Sequence, residues 1–160
     1  MPDISVLIVT WNSAGEIKAC ADSVIKNSAE LSAELIIIDN NSDDNSFAII
    51  NNIQFTNLKT YRNCENLGFT KAVNQAIRLS SGRNVFLLNP DAVLQNGCME
   101  KLSNFLDTNS NYSACAPLML NADGTIQYSI RNFPTYPALF FEFTLLAYIF
   151  QNQNYSGNGR

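Results

Sequence analysis

The chain is 160 residues long, which suits one domain or a part of one. Charged residues make up 15%, with 14 acidic side chains against 10 basic ones and a net charge of −4. A nucleic-acid partner normally calls for a basic surplus, so none is expected here. Histidine is absent, which excludes within this chain a Ser-His-Asp triad, a Cys-His pair and every histidine-ligated metal. Cys20, Cys64, Cys98 and Cys115 contain no C-x-x-C spacing, so a zinc site or redox pair has no support. Met1-Pro2-Asp3 lacks the basic and apolar regions of a signal peptide. A reducing cytoplasmic setting with free, buried or partly buried thiols is therefore expected.

Residues 4–10, ISVLIVT, are a continuous β-forming run, the pattern of a strand buried on both faces. A helix comes next over 14–27, with Ile17, Cys20, Ala21, Val24 and Ile25 at helical spacing. Residues 34–39 read as a second buried strand. Asp43 and Asp44 then stand where a helix N-terminus favours carboxylates, and that helix runs to about Asn51. A weaker third strand covers 57–62. Gly68 opens a helix to about Leu79, which Ser81-Gly82 is expected to end. Residues 84–88 give a fourth strand, a helix runs from the Asn96-Gly97 turn to about Asp107, and 112–120 read as a fifth strand. Asn121–Gly124 is a turn signal. This alternation predicts an α/β array around a parallel sheet. Ala138–Phe150 is almost wholly apolar but shorter than the ~20 residues of a membrane span. The polar QNQNYSGNGR that ends the chain suggests a cut inside a longer protein.

Ligands of open parallel sheets bind beyond the carboxyl ends of the strands. The four strand ends lead into similar polar loops: Thr10-Trp11-Asn12-Ser13, Asp39–Asp44, Arg62-Asn63 with Asn66–Phe69, and Asn89-Pro90-Asp91. Any one such loop reads as turn and cap residues; four together suggest a binding rim. Neither G-x-G-x-x-G nor a P-loop is present. A diphosphate here would need a cation, and Asp91 is placed to hold Mg²⁺ or Mn²⁺.

TWNS, IIIDNNSDD, ENLGFTKAVNQAI and FLLNPDAVL, in this order, resemble a family 2 glycosyltransferase of the GT-A fold, over about residues 4–135 and including LMLNADGTIQ and RNFPT. N-P-D in place of D-x-D is similar to the bacterial rhamnosyltransferases of cell-surface polysaccharide assembly. The resemblance implies a Rossmann-like GT-A domain, with a mostly parallel central sheet flanked by helices. It further implies an inverting transfer of a sugar, rhamnose among the candidates, from a nucleotide-diphosphate donor to a glycan or lipid-linked acceptor. Position by position, Thr10, Trp11 and Asn12 match the motif lining the nucleotide pocket. Asp39 matches the acid that meets the base, and Asn41 and Asp43 match the loop beside it. Asn66, Gly68 and Phe69 match the N-L-G-F turn, with Lys71 one step into its helix. Asn89 and Asp91 match the ends of the metal motif, Asp91 as ligand. Loss of Asp39 is expected to remove nucleotide-dependent stabilisation while the unliganded melting temperature changes little.

The family's catalytic base belongs to a downstream E-D motif. After RNFPT only Glu142 appears, inside the apolar run, so no base is assigned. The resemblance thus implies an incomplete donor-binding domain at 1–135 and a continuation at 136–160, an apolar helix and a polar tail. Peripheral contact with the inner face of the membrane is expected of that apolar run. A truncated, non-catalytic nucleotide-binding domain and, more weakly, a flavodoxin-like module remain open alternatives.

Overall fold

The computed structural model describes residues 2–29 and 31–127. The chain divides into two compact units, Met1–Pro117 and Leu118–Arg160. The first holds β1 (Ile4–Thr10), α1 (Ile17–Asn27), β2 (Ala33–Asp39), α2 (Ser46–Asn51), β3 (Leu58–Arg62), α3 (Phe69–Leu79), β4 (Asn84–Leu88) and α4 (Cys98–Thr108). The four strands form one sheet in the order β3-β2-β1-β4, with every pairing parallel. This bears out the α/β class, a parallel central sheet flanked by helices.

Burial explains the order. Every residue of β1 and β2 is buried, so the two apolar runs must occupy the centre. β3 and β4 are only partly buried and take the flanks. Alternation along the central strands sends side chains to opposite faces. Ile4, Val6, Ile8, Leu35 and Ile37 pack with Ile17, Cys20, Ala21 and Val24 of α1, Ile50 of α2 and Met99 of α4. Leu7, Val9, Ile36 and Ile38 pack on the other face against Ala72 and Ala76 of α3. Two alanines on that helix allow its backbone to come close to the sheet, since the side chains at a contact set the spacing. The β3–α3–β4 connection therefore carries the chain past β2 and β1, and strand order reverses between β1 and β4.

Three expectations are corrected. Residues 112–120 form no strand; an isolated antiparallel bridge, Leu120 to Ile126, lies in the second unit across the Asn121–Gly124 turn. A strand exists only through a ladder partner, and Pro117 lacks the N–H that a ladder uses. The thiols are free as expected, but Cys64 is exposed rather than buried. Gly82 does not cap α3, whose C-cap is Ser80. A Cβ at Gly82 would lie 2.5 Å from the Ser5 backbone nitrogen and 2.8 Å from the Ile4 carbonyl carbon, and the Gly82 N–H donates to Ser5 Oγ at 2.7 Å. Glycine is needed there for close approach to β1. Gly82→Ala should lower unfolding free energy by about 1–3 kcal/mol in urea denaturation; a midpoint equal to wild type would show that the contact relaxes freely. The stretch 138–150 and Glu142 lie outside the described residues. No helix among the described residues is long and apolar enough to cross a membrane.

Candidate functional site

A reversal of strand order opens a crevice at the carboxyl ends of the flanking strands, because the two connections leave in opposite directions. Here that switch point lies between Thr10, the last residue of β1, with Trp11-Asn12 beyond it, and the residues after β4, Asn89-Pro90-Asp91. Beside it, Thr10 and Asp39 end β1 and β2 as register partners. Adjacent strands in register send such side chains to the same face. Both residues are fully buried. Neither Thr10 Oγ1 nor Asp39 Oδ1 has a hydrogen-bond partner.

The other oxygen of Asp39 is engaged. Oδ2 accepts the Ser42 N–H at 3.2 Å and lies 3.3 Å from Arg62 Nε. Arg62 also donates to the Ser42 carbonyl at 2.8 Å, and its guanidinium sits 5.1 Å from the centroid of the Phe47 ring. Asp39 is therefore part of the unliganded fold, and the expectation that its loss leaves the unliganded melting temperature almost unchanged is corrected.

Long-range bonds then tie three loops into one platform. Asn12 and Asn41 both have left-handed backbones, φ 52° and 64°, which asparagine tolerates better than most residues. The Asn12 N–H donates to Ser42 Oγ at 2.9 Å, and Asn12 Oδ1 accepts the Asp43 N–H at 2.8 Å. The Ser13 N–H donates to Ser46 Oγ. Asp44 accepts the Ala14 and Ser46 N–H groups, and hydrogen bonding from Ser46 before all holds its carboxyl below the usual range. Asn40 joins the third loop: its Oδ1 accepts Asn63 Nδ2 and the Leu67 N–H, both at 3.1 Å, and its Nδ2 donates to Asn66 Oδ1 at 2.7 Å. Asn66 Oδ1 also accepts the Gly68 N–H. Gly68 is the N-cap of α3 with φ 79° and ψ 158°, a backbone that essentially only glycine adopts.

The predicted site residues thus fall into three groups. Asn12, Asp39, Asp43, Asn66 and Gly68 belong to the bonded platform, Thr10 joins it through its carbonyl, which accepts the Asn40 N–H, Asn41 shares the loop through its left-handed backbone, and Trp11 and Phe69 project from it, each more than half exposed. Asn89 and Asp91 are exposed on the far side of the crevice, in the segment after β4. The Asn89 carbonyl accepts the Cys20 thiol at 3.3 Å; burial, then the nearby Asp91 charge, pushes that thiol up to about 12, so it stays a donor. Lys71 makes no bond to the platform. It lines a shallow cleft of about 340 Å³ with Asn74, Gln75 and Arg78 and with Asn63 and Leu67, which are bonded to Asn40 of the platform. Sequence reasoning missed Asn40, which is 2% exposed, and gave Arg62 no role. Their strand-end positions beside Asp39 and opposite it in β3 were the available signal.

Among the described residues no three Cys, Asp or Glu side chains converge as a metal cage. Asp91 offers one exposed carboxylate at an open rim. That donor set suits a divalent ion shared with phosphate oxygens, which binds through one or two carboxylates and completes its shell from substrate and water.

Comparison with known proteins agrees with this architecture. A glycosyltransferase of Haemophilus influenzae, itself uncharacterized, is 30% identical over 123 residues, 72% of this chain and 49% of that protein. The minor teichoic acid biosynthesis protein GgaB of Bacillus subtilis is 26% identical over 112 residues, 68% of this chain and 12% of that protein. The chain spans less than half the length of these relatives. Among solved structures, S. aureus TarS 1–349 in complex with UDP-GlcNAc superposes with a TM-score of 0.61 at 24% identity, covering 68% of this chain and 32% of that one. The mannosyltransferase PcManGT of Pyrobaculum calidifontis, in complex with GDP-Man and Mn2+, also gives 0.61, at 21% identity, with 66% and 32% covered. These two share its fold. The model of glycosyl transferase family 2 matches residues 5–158, nearly the whole chain, and the chain belongs to that family.

Proposed function

We propose that this chain is the donor-binding portion of an inverting glycosyltransferase that moves a sugar from a nucleoside-diphosphate donor to a cell-surface glycan or lipid-linked acceptor. The observation that carries the reading is the pair of buried, unpartnered polar atoms, Thr10 Oγ1 and Asp39 Oδ1, beside the crevice. Buried polar atoms are rarely left without partners, so a pair of them at a ligand edge favours a bound polar group. A base N–H or a ribose hydroxyl supplies the donor that Asp39 Oδ1 lacks. Trp11 and Phe69 offer flat apolar surface beside it for stacking. Asn12, Asn41, Asp43, Asn66 and Gly68 shape the nucleotide side, and Asn89 offers an amide to a ribose or sugar hydroxyl. Lys71 makes no bond to the platform, and the cleft it lines meets the platform at Asn63 and Leu67.

Asp91 would hold Mg²⁺ or Mn²⁺ against the diphosphate, where the ion neutralises charge developing on the leaving group. The ligands named for TarS and PcManGT, UDP-GlcNAc and GDP-Man, support a nucleotide-sugar donor without choosing among sugars. The teichoic acid role named for GgaB supports an envelope-glycan acceptor. Rhamnose as the sugar rests on the N-P-D resemblance, and contact with the inner face of the membrane on the apolar run at 138–150.

Melting the chain with UDP, GDP and dTDP, each with and without Mn²⁺ or Mg²⁺, tests the reading. A ligand that binds only the folded state at 100 times its Kd adds about 2.7 kcal/mol. One nucleotide should therefore raise Tm by several degrees, more so with the ion. No shift with any of the three, at millimolar concentration, would contradict the proposal.

A further inference from the structure

The buried face of α1 carries polar side chains at Cys20, Ser23 and Asn27, in a position where core residues are normally apolar. Spacings of three and four put all three on one stripe of the helix. Each bonds to the stretch that runs from the residue after β4 to the first residue of α4. The Cys20 thiol donates to the Asn89 carbonyl at 3.3 Å. The Leu94 N–H donates to Ser23 Oγ at 3.0 Å. The Cys98 N–H donates to Asn27 Oδ1 at 3.1 Å. The stripe is also braced internally: Ser23 Oγ donates to the Cys20 carbonyl at 2.7 Å, and Asn27 Nδ2 to the Ser23 carbonyl at 2.9 Å. Residues 89–97 contain no strand or helix; Ala92 and Leu94 pack against the core, and the polar bonds to α1 set where the backbone on either side of Asp91 runs. Within the segment, the Ala92 N–H to Asn89 carbonyl and the Cys98 N–H to Gln95 carbonyl bonds close only local turns.

We propose that Cys20, Ser23 and Asn27 are positioning residues that fix the Asn89–Cys98 segment on α1, and so hold the Asp91 carboxylate at the crevice. The inference rests on the reading of Asp91 as the residue that holds the ion. A carboxylate on an unsupported loop would have to be ordered each time a metal–diphosphate bound, and pre-organisation removes that cost. The three bonds divide the work: Cys20 fixes the start of the segment two residues before Asp91, Ser23 fixes its middle three residues after it, and Asn27 fixes its junction with α4.

The test compares Cys20→Ala, Ser23→Ala, Ser23→Thr and Asp91→Asn with the wild-type chain. UDP, GDP and dTDP are titrated calorimetrically with and without Mn²⁺, and the quantity read is the ratio of the two affinities. Direct outer-shell partners of metal ligands typically govern ~10–100-fold in metal affinity. Cys20 and Ser23 act on Asp91 only through the backbone, so Ser23→Ala and Cys20→Ala should each reduce the Mn²⁺ enhancement several-fold, up to about 10-fold. The metal-free affinity should stay unchanged, and Ser23→Thr, which keeps the hydroxyl, should restore the enhancement. A purely structural role lowers Tm but leaves that ratio at its wild-type value; this result in both alanine variants would overturn the inference alone. A wild-type chain without Mn²⁺ enhancement, or an Asp91→Asn variant that keeps it, overturns the reading of Asp91 and the inference with it.

Discussion

Asp39→Asn should lose half or more of the nucleotide-dependent stabilisation. The change keeps the size and shape of a fully buried side chain and removes its charge. Of the two carboxylate oxygens, Oδ2 is committed to Ser42 and Arg62, while Oδ1 is buried without a partner, so a ligand donor that reached it would complete its hydrogen bonding. Hydrogen bonds to a charged group contribute about 1.5–3 kcal/mol, so affinity should fall by roughly 10–150-fold. At a nucleotide concentration 100 times the wild-type Kd, the stabilisation should fall from about 2.7 kcal/mol to about 0.3–1.4 kcal/mol, so the Tm shift should drop by half or more. The unliganded variant should also be less stable. Breaking a fully buried ion pair costs about 3–5 kcal/mol, but the Arg62 side chain is 45% exposed and can rehydrate, so a smaller loss is expected. The two effects separate in one experiment, with Tm read without ligand and the ligand increment read against it. An increment equal to wild type would remove Asp39 from the site, whatever happened to the unliganded Tm.

The parts of this site that are legible in the sequence are those set by local chemistry. The runs at 4–10 and 34–39 are apolar at five of seven and four of six positions, short and rich in β-branched residues, which favours strands buried on both faces. Gly68 is legible because its backbone conformation excludes other residues. Asn40 is not, because one more asparagine in a run of Asn, Ser and Asp reads as turn chemistry. Its partners Asn63, Asn66 and Leu67 lie 23 to 27 residues away, and no local pattern encodes them. The polar stripe of α1 escapes for the opposite reason: Cys20 fits the apolar periodicity so well that its thiol reads as core. The strand expected at 112–120 fails because composition reports a preference for extended backbone, whereas a strand needs a neighbour.

The amino edge of the sheet, away from the crevice, carries the largest expected effect on folding. Glu34 is the second residue of β2 and only 3% exposed. Its Oε1 accepts Ser5 Oγ at 2.6 Å, the Ser81 N–H at 2.6 Å and Ser81 Oγ at 2.9 Å, and its Oε2 accepts Lys59 Nζ at 2.7 Å. One carboxylate thereby joins β1, β3 and the turn that leads into β4. Burial alone would raise its pKa, but the bonds from Lys59, Ser5 and Ser81 outweigh it and hold the group at about 2. The folded value lies below the ordinary 4.5, so the charged form is the one that folding favours. Its contribution is complete above pH ~4.5 and is lost as pH falls through about 2. At 1.36 kcal/mol per unit this amounts to about 3 kcal/mol. Glu34→Gln removes the charge, and its amide nitrogen must face donors that it cannot accept, either Lys59 or Ser5 and Ser81. Urea unfolding of both proteins should show the variant about 2–3 kcal/mol less stable at pH 7. Because the remaining carboxylates titrate in both proteins, the difference between them isolates Glu34. That difference should shrink steadily between pH 4.5 and pH 2 as the wild-type carboxylate takes up its proton. A gap that stays constant across this range would mean that Glu34 acts through its shape and neutral hydrogen bonds, and that its charge contributes nothing to holding the sheet edge together.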